Sequence, residues 1–131
     1  MAELYTGLRG EASTEVVFEN TAAAVGSGAL PVFATPSMLA LMEKAALDSV
    51  QPFLEKGQGT VGTRLDVSHL AATPIGMRVR AESELMEIDR RKLTFRVRAW
   101  AGEELIGEGS HQRFIVDSER FLARALAKKE S

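Results

Sequence analysis

The apolar positions of this chain change their period once. Over residues 32–53, VFATPSMLALMEKAALDSVQPF, they run almost all the way round a helical turn, the pattern of a helix buried within its own domain. Thr35 supplies an N-cap hydroxyl and Pro36 a first helical residue. Gln51-Pro52 predicts the end, because the residue before a proline avoids helical geometry. Lys44, Asp48, Gln51 and Glu55 share one wet stripe. Glu43 stands apart from it. Its neighbours one turn either way are Leu39, Ala40, Ala46 and Leu47, so a lone carboxylate is placed on an apolar face, where an unpaired charge is costly. On that reading, removing the charge should leave the thermal midpoint equal or raised.

Downstream the period becomes two. In residues 57–70, Val61, Thr63, Leu65, Val67 and His69 share one face, and Gly62, Arg64, Asp66 and Ser68 the other. In residues 77–88, Met77, Val79, Ala81, Ser83 and Leu85 alternate with Arg78, Arg80, Glu82 and Glu84. The phase then slips, which predicts a β-bulge near Leu85-Met86. Asp89-Arg90-Arg91-Lys92 is a charged hairpin turn, and Leu93, Phe95, Val97 and Ala99 continue the core face. A last strand over 105–116 is interrupted by Gly107 and Gly109, glycines that mark a bulge. Ahead of the helix, residues 8–19 suggest a first strand. Residues 20–30, NTAAAVGSGAL, suggest a flexible connection with room for one helical turn. Residues 117–128 predict a C-terminal helix capped by Asp117 or Ser118. One long helix followed by hairpin-joined strands implies an α+β fold, an antiparallel sheet with the helix packed along its face. Bulges and strand glycines would let that sheet curve round the helix.

Length narrows the picture to one domain spanning 1–131, large enough to bury a core. A net charge of -2 and a pI near 5.7 argue against nucleic acid, whose phosphates need a concentrated basic surface. The absence of cysteine excludes disulfides, thiolate metal sites and cysteine nucleophiles. His69 and His111 alone make no histidine-rich metal centre, and no cofactor is expected. Residues 1–13 hold no long apolar run, so neither a signal peptide nor a membrane span is expected and the cytoplasm is the default location.

Three residues carry chemistry beyond packing. Thr35 opens the helix, Glu43 follows two turns later, and His69 ends a strand. Thr35 and Glu43 are separated by about 12 Å of helical rise at ~1.5 Å per residue, so a third group must join them, and His69 is the candidate. Each also has a plainer role: a cap, a carboxylate satisfied by a backbone group or a neighbouring arginine, a histidine bonded to a carbonyl. His111, among strand glycines, has the plainer role with more weight.

The segments PVFATPSMLALMEKAAL, GTRLDVSHLAATPIG and RRKLTFRVRAW, followed by GEGSHQRFIVD, resemble the hot-dog-fold thioesterases of the fluoroacetyl-CoA thioesterase type. The resemblance covers about residues 8–122 with the segments in family order. It implies a curved antiparallel sheet wrapped round one long central helix, a homodimer with active sites at the subunit interface, and an acyl-CoA substrate. It places the family's threonine, glutamate and histidine on Thr35, Glu43 and His69, and positions near the thioester on Gly62 and Arg113. The fluoroacetyl-specific member carries an aromatic lid before the central helix. Residues 22–30 here, AAAVGSGAL, contain no aromatic. The expected activity is therefore acyl-CoA hydrolysis without fluoroacetyl selectivity. His69 would act as general base on Thr35 or water, Glu43 would orient the imidazole, and a helix N-terminus would face the oxyanion. Arg64, Arg78, Arg80, Arg90, Arg91 and Arg113 are candidates for the coenzyme A phosphates. Two rivals are a hot-dog enoyl-CoA hydratase and a non-catalytic acyl-CoA binding module.

Overall fold

The structure, a computed structural model, describes residues 3–130. Its elements in chain order are strand β1 (Arg9–Glu15), the one-turn helix α1 (Ala22–Val25), the central helix α2 (Thr35–Val50) and strands β2 (Gln58–His69), β3 (Arg78–Asp89), β4 (Lys92–Ala101) and β5 (Glu104–Asp117). The C-terminal helix α3 (Ser118–Leu126) follows. The strands form one curved antiparallel sheet in the order β1-β3-β4-β5-β2, which leaves β1 and β2 as its edges.

Strict alternation sets the core. Val79, Ala81 and Leu85 of β3 and Leu93, Phe95, Val97 and Ala99 of β4 all face α2 and are buried. The matching stripe on α2 is Met38, Leu41, Met42, Ala45, Ala46, Ser49 and Val50, positions recurring at three and four residues as one helical face requires. α2 is thus buried on one side rather than all round, with Ala40, Lys44 and Asp48 exposed. The helix comes unusually close to β1. A Cβ on Gly10 would overlap the Ala45 carbonyl and the Ser49 side chain, so only glycine admits this approach.

Both ends of α2 depart from the sequence expectation. The N-cap is Ala34, and Thr35 is the first helical residue. Its hydroxyl is therefore released from capping. At the other end Gln51 keeps helical angles, φ -53 and ψ -42. The chain tightens there into a 3-10 turn over Gln51–Phe53 with Pro52 at its start, a place where proline's missing N–H is tolerated.

Three one-residue irregularities bend the sheet. Met86 is extra on β3, where Leu85 faces Phe95 and Glu87 faces Thr94, as the phase slip in the sequence predicts. Ile106 is extra on β5, beside the expected Gly107. Thr63 is extra on β2, where Gly62 faces Arg113 and Arg64 faces Gln112. That third bulge has no signature in the sequence, and it changes the site. It shifts β2 by half a period, so Gly62 looks toward α2 together with Leu65, Val67 and His69, not away from them. The first strand is shorter than residues 8–19 suggest, because residues 18–20 leave it in a 3-10 turn. α3 starts where expected, with the Asp117 carboxylate accepting from the Arg120 N–H at 3.1 Å. Among the described residues no helix is long and apolar enough to cross a membrane.

Candidate active site

The candidate residues fall into two groups along α2. At its N-terminal end, Thr35 Oγ1 lies 2.7 Å from His69 Nδ1. The first residue of α2 and the last of β2 meet there, because the short 71–76 connection turns the chain back beneath the helix start and residue 33 bonds to the Thr73 carbonyl. His69 Nε2 is sealed from solvent against the backbone near Ala71, without a hydrogen bond of ordinary geometry among the described residues. Burial lowers the imidazole pKa below the ordinary histidine value, and the Ala71 backbone opposes that in part. A neutral ring whose Nδ1 accepts from a hydroxyl is a general base in place. The pair opens into a cavity of about 350 Å³. Ala22, Ser27 and Val32 from the stretch before α2, and the edge of Phe33, form its wall.

The second group sits two turns along the helix. The Glu43 carboxylate accepts from Arg113 Nη1 at 3.3 Å and lies 4.0 Å from His111 Nε2. Arg113 is only 5% exposed, and every part of its guanidinium is bonded. Its Nε donates to Thr60 Oγ1 at 2.8 Å, its Nη2 to the Thr60 carbonyl at 3.0 Å and its Nη1 to His111 Nε2 at 3.1 Å. His111 is fully buried and stacks on Phe95. Its Nδ1 donates to the Arg64 carbonyl at 2.8 Å, which leaves Nε2 as the acceptor that Arg113 uses. The ring is neutral: burial lowers its pKa, and the Arg113 charge adds to that against the Arg64 carbonyl and Glu43. Gly62 completes the group. A Cβ there would collide with the Glu43 carboxylate and press on His111 and Arg113.

Comparison with known proteins gives the family of the chain. Residues 16–119 match the model of the fluoroacetyl-CoA-specific thioesterase family. Over 97 residues the chain is 42% identical to the fluoroacetyl-CoA thioesterase of Streptantibioticus cattleyicolor, covering 74% of this chain and 70% of that one. The chain belongs to the fluoroacetyl-CoA-specific thioesterase family. The crystal structure of the thioesterase FlK superposes with a TM-score of 0.91 at 34% identity, over 97% of this chain and 98% of that one. A thioesterase-superfamily protein from Thermus thermophilus superposes with a TM-score of 0.90 at 30% identity, over 99% and 96%. The sheet wrapped on one helix is the hot-dog fold.

Within this family member, the chain brings Thr35 to His69 and Glu43 to Arg113 and Gly62. It does not bring Glu43 to His69, so within one chain Glu43 does not orient that imidazole. Thr60 is the residue that sequence reading passed over, and His111 is the one to which it gave only a plain structural role. One signal was present: Ile115, Arg113 and His111 are spaced by two on β5, which puts both polar side chains on the core face. An arginine and a histidine there must find partners inside.

Proposed function

We propose that this single-domain protein is a cytoplasmic acyl-CoA thioesterase whose reacting pair is Thr35 and His69. The observation that carries the reading is the 2.7 Å contact between Thr35 Oγ1 and His69 Nδ1 at the mouth of a cavity. Thr35 Oγ attacks the thioester carbonyl carbon while its proton passes to His69 Nδ1. The tetrahedral intermediate collapses, the C–S bond breaks, and the imidazolium returns the proton to the leaving thiolate. Water then hydrolyses the acyl-threonine by the same proton relay. Alternatively, Thr35 holds the attacking water and His69 deprotonates it directly. A burst of about one equivalent of free coenzyme A per site marks the first route. Backbone N–H groups of the first turn of α2 face the oxyanion.

Glu43, Gly62 and Arg113 belong to the same site in a homodimer. The outer edge of β2 carries no partner strand in the chain, and unpaired edges of this length are templates for a second strand. Antiparallel pairing of β2 with its copy about a two-fold axis carries His69 of one protomer toward the partner's Gly62. The carboxylate of the partner's Glu43 then acts through space on the imidazolium, in a site where charge is poorly screened.

The test is thiol release from a panel of acyl-CoAs. Hydrolysis frees coenzyme A, whereas hydration of an enoyl thioester and plain binding do not. Wild type releases thiol, and His69→Ala lowers kcat by about 10²–10⁴-fold while melting normally. With no aromatic in residues 22–30, the kcat/KM ratio of fluoroacetyl-CoA to acetyl-CoA stays below about 10³. Full turnover by His69→Ala removes the proposal.

A further inference from the structure

Strands β2 and β4 and the helix α2 each present a partner to His111 of β5, a buried residue that the proton relay above does not use. Its ring is closed off from solvent and stacks on Phe95 of β4. Its two nitrogens have partners of fixed character. The Arg64 carbonyl of β2 can only accept, and the Arg113 guanidinium can only donate. Nδ1 therefore carries the hydrogen and Nε2 offers a lone pair. Both partners impose the same neutral tautomer. That lone pair has a consequence for Glu43 of α2. Arginine–carboxylate pairs are frequently two-pronged, but Arg113 has little left for such a grip. Its Nε and Nη2 are turned to Thr60. Of the two hydrogens on Nη1, one goes to His111 and one to Glu43. The carboxylate meets the cluster through Oε2 alone, 3.3 Å from Arg113 Nη1 and 4.0 Å from His111 Nε2. Among the described residues Oε1 accepts no hydrogen bond, and the side chain keeps contact with solvent.

We propose that His111 is a positioning residue of the active site: its Nε2 lone pair holds Arg113 to a single bond on Glu43 and leaves the other carboxylate oxygen for the imidazolium formed during turnover. The inference rests on the thioesterase reading above, in which Glu43 faces the partner's His69. A two-pronged clamp would bring the guanidinium against both oxygens. In a site where charge is poorly screened, less of the carboxylate's field would then reach the imidazolium. With His111 in place, Arg113 fixes where the carboxylate sits and one oxygen remains to serve the reaction. His111 acts through Arg113 and Glu43, not on the thioester.

The test uses the full chain, with kcat and KM from thiol release measured well below the melting midpoint of every variant. His111→Phe keeps a ring on Phe95 and loses the lone pair. His111→Gln keeps an uncharged acceptor for Nη1. The Phe variant is expected to lose about tenfold or more in kcat with KM changed less than about twofold, and the Gln variant to recover most of that loss. In a Glu43→Gln background the Phe change costs nothing further in kcat, because the charge that His111 places is already gone and residues acting through one another do not add. Equal losses in the two backgrounds mean a structural histidine and overturn the proposal. So does wild-type kcat in the Phe variant, or a Gln variant as slow as the Phe one. Should the Phe variant not fold, His111→Asn, which keeps the donor to Arg64 and stops short of Arg113, replaces it with the same expectations. Nitrogen NMR of the wild type gives a reading free of any variant: at neutral pH the His111 ring is uncharged and carries its hydrogen on Nδ1. A hydrogen on Nε2 overturns the positioning role and leaves hydrolysis intact. A wild type that releases no thiol from any thioester is a different failure, since it removes the hydrolase reading itself and the positioning role with it.

Discussion

Glu43 meets a guanidinium that is almost wholly buried, and its own side chain is 38% exposed. That pairing reverses the stability effect that its sequence neighbours suggest. Taken alone on an apolar face, the carboxylate should destabilise. Beside Arg113, removing its charge leaves a buried cation without a counter-ion, a loss of about 3–5 kcal/mol in a fully buried pair. Exposure on the Glu43 side reduces this to about 1–2 kcal/mol. Glu43→Gln is expected to melt several degrees lower and to lose at least about tenfold in kcat. A variant that melts higher than wild type would mean that the Arg113 contact is unimportant. The histidines give a pH prediction. Burial holds His69 below the ordinary histidine value, so the base remains neutral and active somewhat below pH ~6.5. Activity is lost only as falling pH protonates the ring. The acid limb of kcat/KM should therefore inflect below ~6.5; an inflection above it contradicts the buried setting.

At the scale of elements, the β3–β4 hairpin turns at Arg90, the one described non-glycine residue with a left-handed φ, 58°. Side chains there cost about 1–2 kcal/mol, against about 0.5–1 kcal/mol of extra chain entropy for glycine. Arg90→Gly is expected to raise the melting point by a few degrees. The matched change Arg91→Gly, at an ordinary φ, should lower it; differential scanning calorimetry of the two decides. Elements were legible in the sequence wherever burial was one-sided and unbroken. β3 and β4 show their core face residue by residue, and the Met86 bulge is visible because an apolar residue breaks the alternation. The Thr63 bulge is invisible because threonine is tolerated on either face, so nothing marks the slip. That single ambiguity put Gly62 on the wrong side of β2. For the site, Thr35 and His69 stood out as polar residues at element ends, and the structure joins them. The Glu43–Arg113 pair joins residues 70 apart in sequence, a separation that no local pattern spans. Arg113 entered the sequence reading through the family resemblance alone.

For the whole molecule, the proposed site is complete only with two copies. Light scattering should give twice the 14.2 kDa chain mass at micromolar concentration. Activity per chain should then fall on dilution in step with dissociation, since each monomer keeps Thr35 and His69 but loses the partner's Glu43 and Arg113. Constant specific activity down to monomer would show that one chain suffices.

The extra residue in β2 also sets what kinds of inherited change this chain tolerates. Loss of the single codon for Thr63 removes no catalytic group and no core side chain. It restores the plain alternation with every pairing kept: Gly62 still faces Arg113, Arg64 still faces Gln112 and Leu65 still faces His111, so Leu65, Val67 and His69 stay on the α2 side and only the local bend is lost. Point substitutions at Thr63 leave the count intact and are accommodated. The constraint on length therefore lies beyond the bulge: one residue gained or lost within the continuously paired stretch from Arg64 to His69 turns His69 to the opposite face, whereas position 63 sets only how sharply the edge strand bends.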